Sequence, residues 1–463
     1  MSNHDHNKTQ DRYLQDAEHG CEESRLLISR RAMLGVSASL CAWAFMPKIA
    51  EAAGQDTRLL VVILRGGMDG LHVAFPAGEY GRYADLRSNP SFELALDNDE
   101  LVDVGTEGGA GNYKINKRLP FFASQFAAKN AALVQAIAPP LRNRSHFQCL
   151  QNLENGLGDV VTGIQDGWLN RLLQVLPQGN SVNPINAIQV GRSPLILRGP
   201  ASVLSWSPAA WGGIPGPFSN KLQEYYGSSS ELGKLFKAGN DAVARAGSPD
   251  SSFNSLQRAF SGAGSYMKQS DGPRIAVLNV DGWDVHASQK PLISNTLQSL
   301  DDGLSKFKSA LGNDAWNKTI VICVSEFGRS ARVNGTEGTD HGTGTCALLL
   351  GGAVNGKRVF GEWPGLGTRD LEIGRDLRAT RDTRQLFMGI LQDHLGVPKT
   401  LFPAIFPGVD VNRTAPLQGL VKNPVVPSAA RMAMASSLGQ QEVAPPPRKP
   451  SPIARYRAAN GLN

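Results

Sequence analysis

The sequence is poor in cysteine, in aromatic residues and in long apolar runs, and each shortage removes a class of protein. Five cysteines occur in 463 residues, and only Cys149, Cys323 and Cys346 lie beyond residue 52. Three is an odd number, so a disulfide framework is not the source of stability, although one pair could still form. The uncharged stretch from Ala32 to Met46 holds 15 residues and is diluted by Gly35, Ser37 and Ser39. That is short of the roughly 20 residues needed to cross a bilayer core, so no stable membrane span is expected. Aromatics make up 7% of the chain, and no basic stripe carries interleaved aromatics, so nucleic acid is not an expected partner.

Charge is present but unevenly placed. The chain is formally +6, yet residues 421–463 alone carry six Lys/Arg against Glu442, and residues 1–52 are net −1. The body, residues 53–420, is therefore close to neutral. The tail holds seven prolines and a single aromatic, Tyr456, too little apolar surface to repay the cost of ordering, so it reads as a disordered basic end. At the other end, Ser29-Arg30-Arg31 precedes the short apolar stretch and Ala50-Glu51-Ala52 follows it. A basic pair, a weak apolar run and an A-x-A site are the pattern of a secretory leader over residues 1–52, of the twin-arginine kind. The expectation is a bacterial protein that uses the twin-arginine export machinery and works in the periplasm or is secreted.

Within the body, runs such as Leu59–Leu64, Ala131–Ile137, Ile275–Val280, Thr319–Val324 and Ala347–Leu350 are apolar almost throughout rather than alternating, with Gln135, Asn279 and Thr319 the exceptions. Such runs suit strands buried on both faces. Helical periodicity lies between them, over Pro291 to Leu311 and Thr383 to Leu395. The alternation predicts an α/β fold, a doubly wound, mostly parallel sheet with helices on both faces. The Ser/Gly/Ala-rich stretch from about 200 to 270 reads as a helical insertion.

Ligands of such sheets bind beyond the carboxyl ends of the strands. There the sequence places Asp69, then Asp281 with Asp284 and His286, then Glu326; Asp340-His341 lies in a Gly-rich loop before the next apolar run. One Asp after a strand is usually a turn former or helix cap. Four such positions, two with histidine, form a ligand set without cysteine that suits a divalent metal ion: zinc, manganese, magnesium or calcium.

The segments Leu64-Arg-Gly-Gly-Met-Asp-Gly-Leu71, Asp281-Gly-Trp-Asp-Val-His286, Ser325-Glu-Phe-Gly-Arg329 and Gly338-Thr-Asp-His-Gly342 together resemble DUF1501. This is a bacterial family of unassigned function related to the alkaline phosphatase–sulfatase superfamily. The resemblance covers roughly residues 29–415 and implies an alkaline-phosphatase-like fold and a divalent-metal site. It maps metal ligands onto Asp69, Asp281, Asp284, His286, Glu326, Asp340 and His341. It also places a nucleophile at a helix N-terminus, where this chain has Ser145, a residue that an N-cap role would explain equally. His146 reads as a ligand for metal or oxyanion, or as a surface histidine. Arg65, Arg144 and Arg329 are candidates to hold phosphate or sulfate oxygens, or to pair with site carboxylates. The formylglycine-type Cys-Pro-Ser-Arg motif is absent.

Two functions follow as expectations. One is a metal-dependent hydrolase of phosphate or sulfate esters, its partner a phosphorylated or sulfated small molecule or polymer. The other is a metal-containing or vestigial member that binds an envelope or extracellular polymer without turnover. Trp168 and Trp283 read as packing residues, and His72 and His394 as structural or exposed.

Overall fold

A computed structural model describes residues 41–44, 56–158, 166–175, 195–201, 203–206, 216–227, 230, 233, 252, 254–270 and 272–425. The twin-arginine motif and most of the expected tail lie outside the described residues.

Fourteen strands are described. In chain order they are β1 (Cys41–Ala44), β2 (Arg58–Leu64), β3 (Ala74–Pro76), β4 (Ser88–Asn89), β5 (Phe92–Glu93), β6 (Leu101–Gly105) and β7 (Asn112–Asn116), then β8 (Ala131–Ala138), β9 (Val203–Trp206), β10 (Ile275–Val280), β11 (Thr319–Val324), β12 (Thr345–Leu350), β13 (Arg358–Phe360) and β14 (Arg381–Asp382). Nine of them form the central sheet in the order β13-β8-β12-β11-β2-β10-β1-β9, with β14 also on β8. β2 pairs in parallel with both β10 and β11. Seven of the nine strands point one way; β12 and β1 run against them. The reversal of β12 matters for the site. Its beginning, not its end, reaches the edge where β2, β8, β10 and β11 finish.

Every residue of β2 is buried, and alternate side chains enter two separate cores. Leu59, Val61 and Ile63 join one with Trp168 and Phe387; Leu60, Val62 and Leu64 join the other with Phe260 and Leu300. This is the period-2 geometry of a strand covered on both faces. Helices His146–Asn155, Trp168–Val175 and Thr383–Asp393 cover the first face. Helices Pro120–Ala127, Ser255–Lys268 and Gln289–Leu311 cover the second. In the last, Ile293, Leu297, Leu300, Leu304, Phe307 and Leu311 recur at three and four places and are buried. It stops at Gly312, whose φ of +81° a side chain would resist. Trp168 and Trp283 are fully buried packing residues, and His72 and His394 are buried as well. No helix among the described residues is long and apolar enough to cross a membrane.

Two expected boundaries shift. The stretch about 200–270 contains a sheet strand, β9, and its helix Ser255–Lys268 buries Phe260 and Met267 in the second core. That helix is part of the sandwich rather than an insertion into it. Packing also continues past residue 420: Val421 and Val425 are buried, and the Val425 N–H donates to Asp393 O at 2.7 Å.

Candidate metal centre

Four loops and one helix meet at a single edge of the sheet. The loop after β2, Arg65 to Asp69, turns at Gly66, where φ is +122° and a Cβ would lie 2.3 Å from the Asp284 nitrogen. Only glycine lets the β2 and β10 loops come this close. Trp283, buried without exposure, anchors the β10 loop and sets its neighbour Asp284 at the edge. The loop after β11 and the loop before β12 are zipped together by Gly342 N–H to Gly328 O at 2.8 Å and Gly328 N–H to Thr343 O at 2.9 Å. Arg144, in the left-handed region at φ +63°, leads through Ser145 into helix His146–Asn155. Ser288 and Glu337, beside the His286 loop, also have positive φ, so backbone strain gathers around this edge.

Three imidazoles converge on Asp284. Its Oδ1 lies 3.3 Å from His146 Nε2, 2.9 Å from His286 Nε2 and 3.2 Å from His341 Nε2. His341 Nε2 is also 3.0 Å from His146 Nε2 and 3.1 Å from His286 Nε2. These side chains are 20–40% exposed, so the centre opens to solvent.

Protons decide what the cluster can do. His146 Nδ1 is 2.7 Å from Glu326 Oε1, and Glu326 is fully buried. Burial opposes the charge on Glu326, but hydrogen bonds from His146 and the Gly66 N–H hold its carboxyl below the usual range. A carboxylate only accepts, so Nδ1 of His146 donates and Nε2 turns its lone pair inward. His341 Nδ1 lies 3.1 Å from the Arg144 carbonyl, which also only accepts, so its Nε2 faces inward too. Two lone pairs 3.0 Å apart beside a carboxylate oxygen need a positive charge between them. If a proton meets that need, it settles on His146. Burial lowers its affinity for the proton, but hydrogen bonds to Asp284 and Glu326 outweigh that and push its pKa up to about 9. Asp284 shows the complement: burial disfavours its charge, yet bonds to the three histidines hold its carboxyl far below the usual range.

A divalent cation meets the same need. Nitrogen and oxygen ligands at 2.0–2.1 Å from a tetrahedral ion stand ~3.3 Å from one another. His146, Asp284 and His341 present one ligand atom each at close to this spacing, and they are the only such metal-ligating group among the described residues. The donor set therefore fits a small divalent ion with three protein ligands and an open side. His286, bonded to Asp284 and His341, borders the group.

The remaining candidates are placed as follows. Glu326 holds His146, with Ser325 Oγ 2.9 Å from its second oxygen. Asp340 is half exposed, 3.9 Å from His286 Nδ1 and 3.6 Å from Arg375. Asp281 is 83% exposed and lies 3.8 Å from Arg65. The structure does not bring Asp69 to the group; its carboxylate is buried against Arg87 and Gln289.

The three expected anion-binding arginines pair with carboxylates instead. Arg65 donates to Glu154 at 2.8 Å, and Arg144 lies 2.7 Å from Asp376. Arg329, buried, donates to Asp284 and to the carbonyls of Gly66, Gly67 and Trp283, bracing the β2 and β10 loops. Ser145 occupies the N-cap position of its helix, yet its side chain makes no capping hydrogen bond. Residues the sequence did not single out are Arg87, Gln289, Glu154, Arg375 and Asp376. Each was an ordinary charged or polar residue until the fold gave it a partner.

Comparison with known proteins adds the following. No curated protein matches the chain. Among solved structures, the chain is matched to a protein in the alkaline phosphatase superfamily from Vibrio parahaemolyticus, with 10% identity and a TM-score of 0.26. The match covers 67% of this chain, and the chain spans 62% of the length of that protein. Residues 228–404, which include Asp284, His286, Glu326, Arg329, Asp340 and His341, match the family described as a protein of unknown function, DUF1501.

Proposed function

We propose that the chain is a metal-dependent hydrolase acting on phosphate or sulfate esters outside the cytoplasm. The observation that carries this reading is the convergence of His146, Asp284 and His341, whose inward lone pairs call for a cation at a solvent-open edge. A bound divalent ion would supply Lewis-acid polarisation of an ester oxygen and lower the pKa of a nearby hydroxyl or water. The chain's own residues do the positioning. Glu326 fixes the His146 tautomer, the Arg144 carbonyl fixes that of His341, and Arg329 holds Asp284.

Ser145 is the nucleophile in this reading. It directly precedes His146, its hydroxyl is not spent on capping, and the positive end of the helix dipole lies beside it.

The test is a panel of phosphate and sulfate esters with protein loaded with zinc or manganese. Turnover of at least one ester, lost in His341→Ala and Ser145→Ala, supports the proposal. Metal binding without turnover of any ester would favour the reading as a non-catalytic polymer binder, which the pairing of Arg65, Arg144 and Arg329 with carboxylates also favours. Export by the twin-arginine route is part of the proposal, supported by Ser29-Arg30-Arg31. Replacing both arginines with lysine should leave precursor in the cytoplasm, and unchanged export would refute that part.

A further inference from the structure

Four carboxylates, Asp69, Asp284, Glu326 and Asp340, come to one edge of the sheet. The number of cations they take depends on how many offer charge where an ion can reach it, as Asp284 does: Arg329 donates to its Oδ1 at 2.7 Å, but the side chain is 38% exposed and faces the nitrogens of His146 and His341. Asp69 has none to spare. Arg87 Nη1 lies 2.5 Å from its Oδ2 and Nη2 lies 2.9 Å from its Oδ1, a bidentate pair with side chains 0% and 2% exposed. Gln289 Nε2 donates to the same Oδ2 at 2.6 Å, and Thr339 Oγ1 donates to Gln289 Oε1, which fixes the amide in that orientation. Arg87 is itself held by the Ser330 carbonyl and packs beside the Tyr83 ring. An ion at Asp69 would have to displace a guanidinium that has no solvent to move into. Glu326 is spent too, accepting from His146 and the Gly66 N–H. Asp340 faces Arg375 at 3.6 Å and stands outside the ligand group.

We infer that the centre is built for one divalent cation, held by His146, Asp284 and His341, and that Arg87 permanently supplies at Asp69 the charge a second ion would bring. This rests on the metal-site reading above and adds its stoichiometry. It also removes Asp69, the Asp that follows the first strand of the body, from the ligand set that the sequence resemblance implies.

The experiment is calorimetric titration with Mn²⁺ or Zn²⁺ together with elemental analysis after dialysis. Wild type is expected to hold one equivalent. Asp69→Asn should also hold one, with a Kd within about threefold of wild type, whereas His341→Ala should bind at least tenfold more weakly. Should Asp69→Asn fold poorly, the double variant Asp69→Leu/Arg87→Met removes both charges from the buried site and should again hold one equivalent. Two equivalents in wild type, or loss of the ion from either Asp69 variant, would overturn the inference while leaving the metal reading standing. No bound ion in wild type would overturn the metal reading and this inference with it.

Discussion

The Asp284 cluster and the Asp69 cluster lie at neighbouring strand ends and begin from the same residue type, yet they solve opposite problems. Around Asp69 both carboxylate oxygens are met inside the protein: a guanidinium, an amide and, behind the amide, a threonine hydroxyl hold them away from water. Around Asp284 the side chains are partly exposed, and the Nε2 atoms of His146 and His341 face each other 3.0 Å apart beside the carboxylate, a place that a proton or a metal ion can fill. A closed network of charges specifies structure, whereas an incomplete one at the surface specifies a ligand. Each carboxylate meets a buried arginine, Arg87 at Asp69 and Arg329 at Asp284; what differs is that Arg87 and Gln289 take up both Asp69 oxygens away from water, whereas Asp284 faces three imidazoles at a partly exposed edge.

The largest expected effect comes from breaking the closed side. Arg87→Met leaves the Asp69 carboxylate buried and unpaired, which costs about 3–5 kcal/mol. Urea denaturation should show this, and Asp69→Leu in the same chain should recover most of it. A loss under about 1 kcal/mol for Arg87→Met would mean that Asp69 is less enclosed than the structure shows.

On the open side, stability should depend on the ion. An ion present at a hundredfold over its Kd stabilises the folded state by about 2.7 kcal/mol. Chelation should therefore lower the melting temperature of wild type and leave His341→Ala unmoved. Equal shifts in the two proteins would place the ion elsewhere.

The link between His146 and Glu326 should be worth less. Glu326→Gln keeps the shape but removes the charged acceptor that fixes the imidazole, and metal affinity should fall about 10–100-fold. The measurement is a titration with Zn²⁺, and an unchanged Kd would remove Glu326 from the site.

The smallest effect is a slope with pH. In the ion-free protein the folded pKa of His146 is raised from about 6.5 to about 9. Its contribution to stability is then fully present below about pH 6.5 and lost as pH rises through 9. An ion must expel that proton, so metal affinity should run the other way, rising roughly tenfold per pH unit up to about 9 and then levelling off. Affinity that does not vary between pH 7 and 9 would contradict the inward lone pair on His146.

These contrasts separate what the chain's order of residues determines from what folding decides. The largely apolar, non-alternating runs of β2, β10 and β11 point to the class of sheet, because strands covered on both faces favour such runs. Acids and a histidine soon after those strands mark the candidate edge, which made Asp284, His286 and Glu326 legible, and His341 was legible as a histidine beside an acid in the Gly-rich loop before the next apolar run. The sequence could not show that β12 runs backwards, which is why the loop before it joins an edge otherwise built from strand ends. Nor could it rank Asp69 below Asp284. That ranking depends on Arg87, 18 residues away, and Gln289, 220 residues away, and a carboxylate's role depends on which charge the fold leaves beside it.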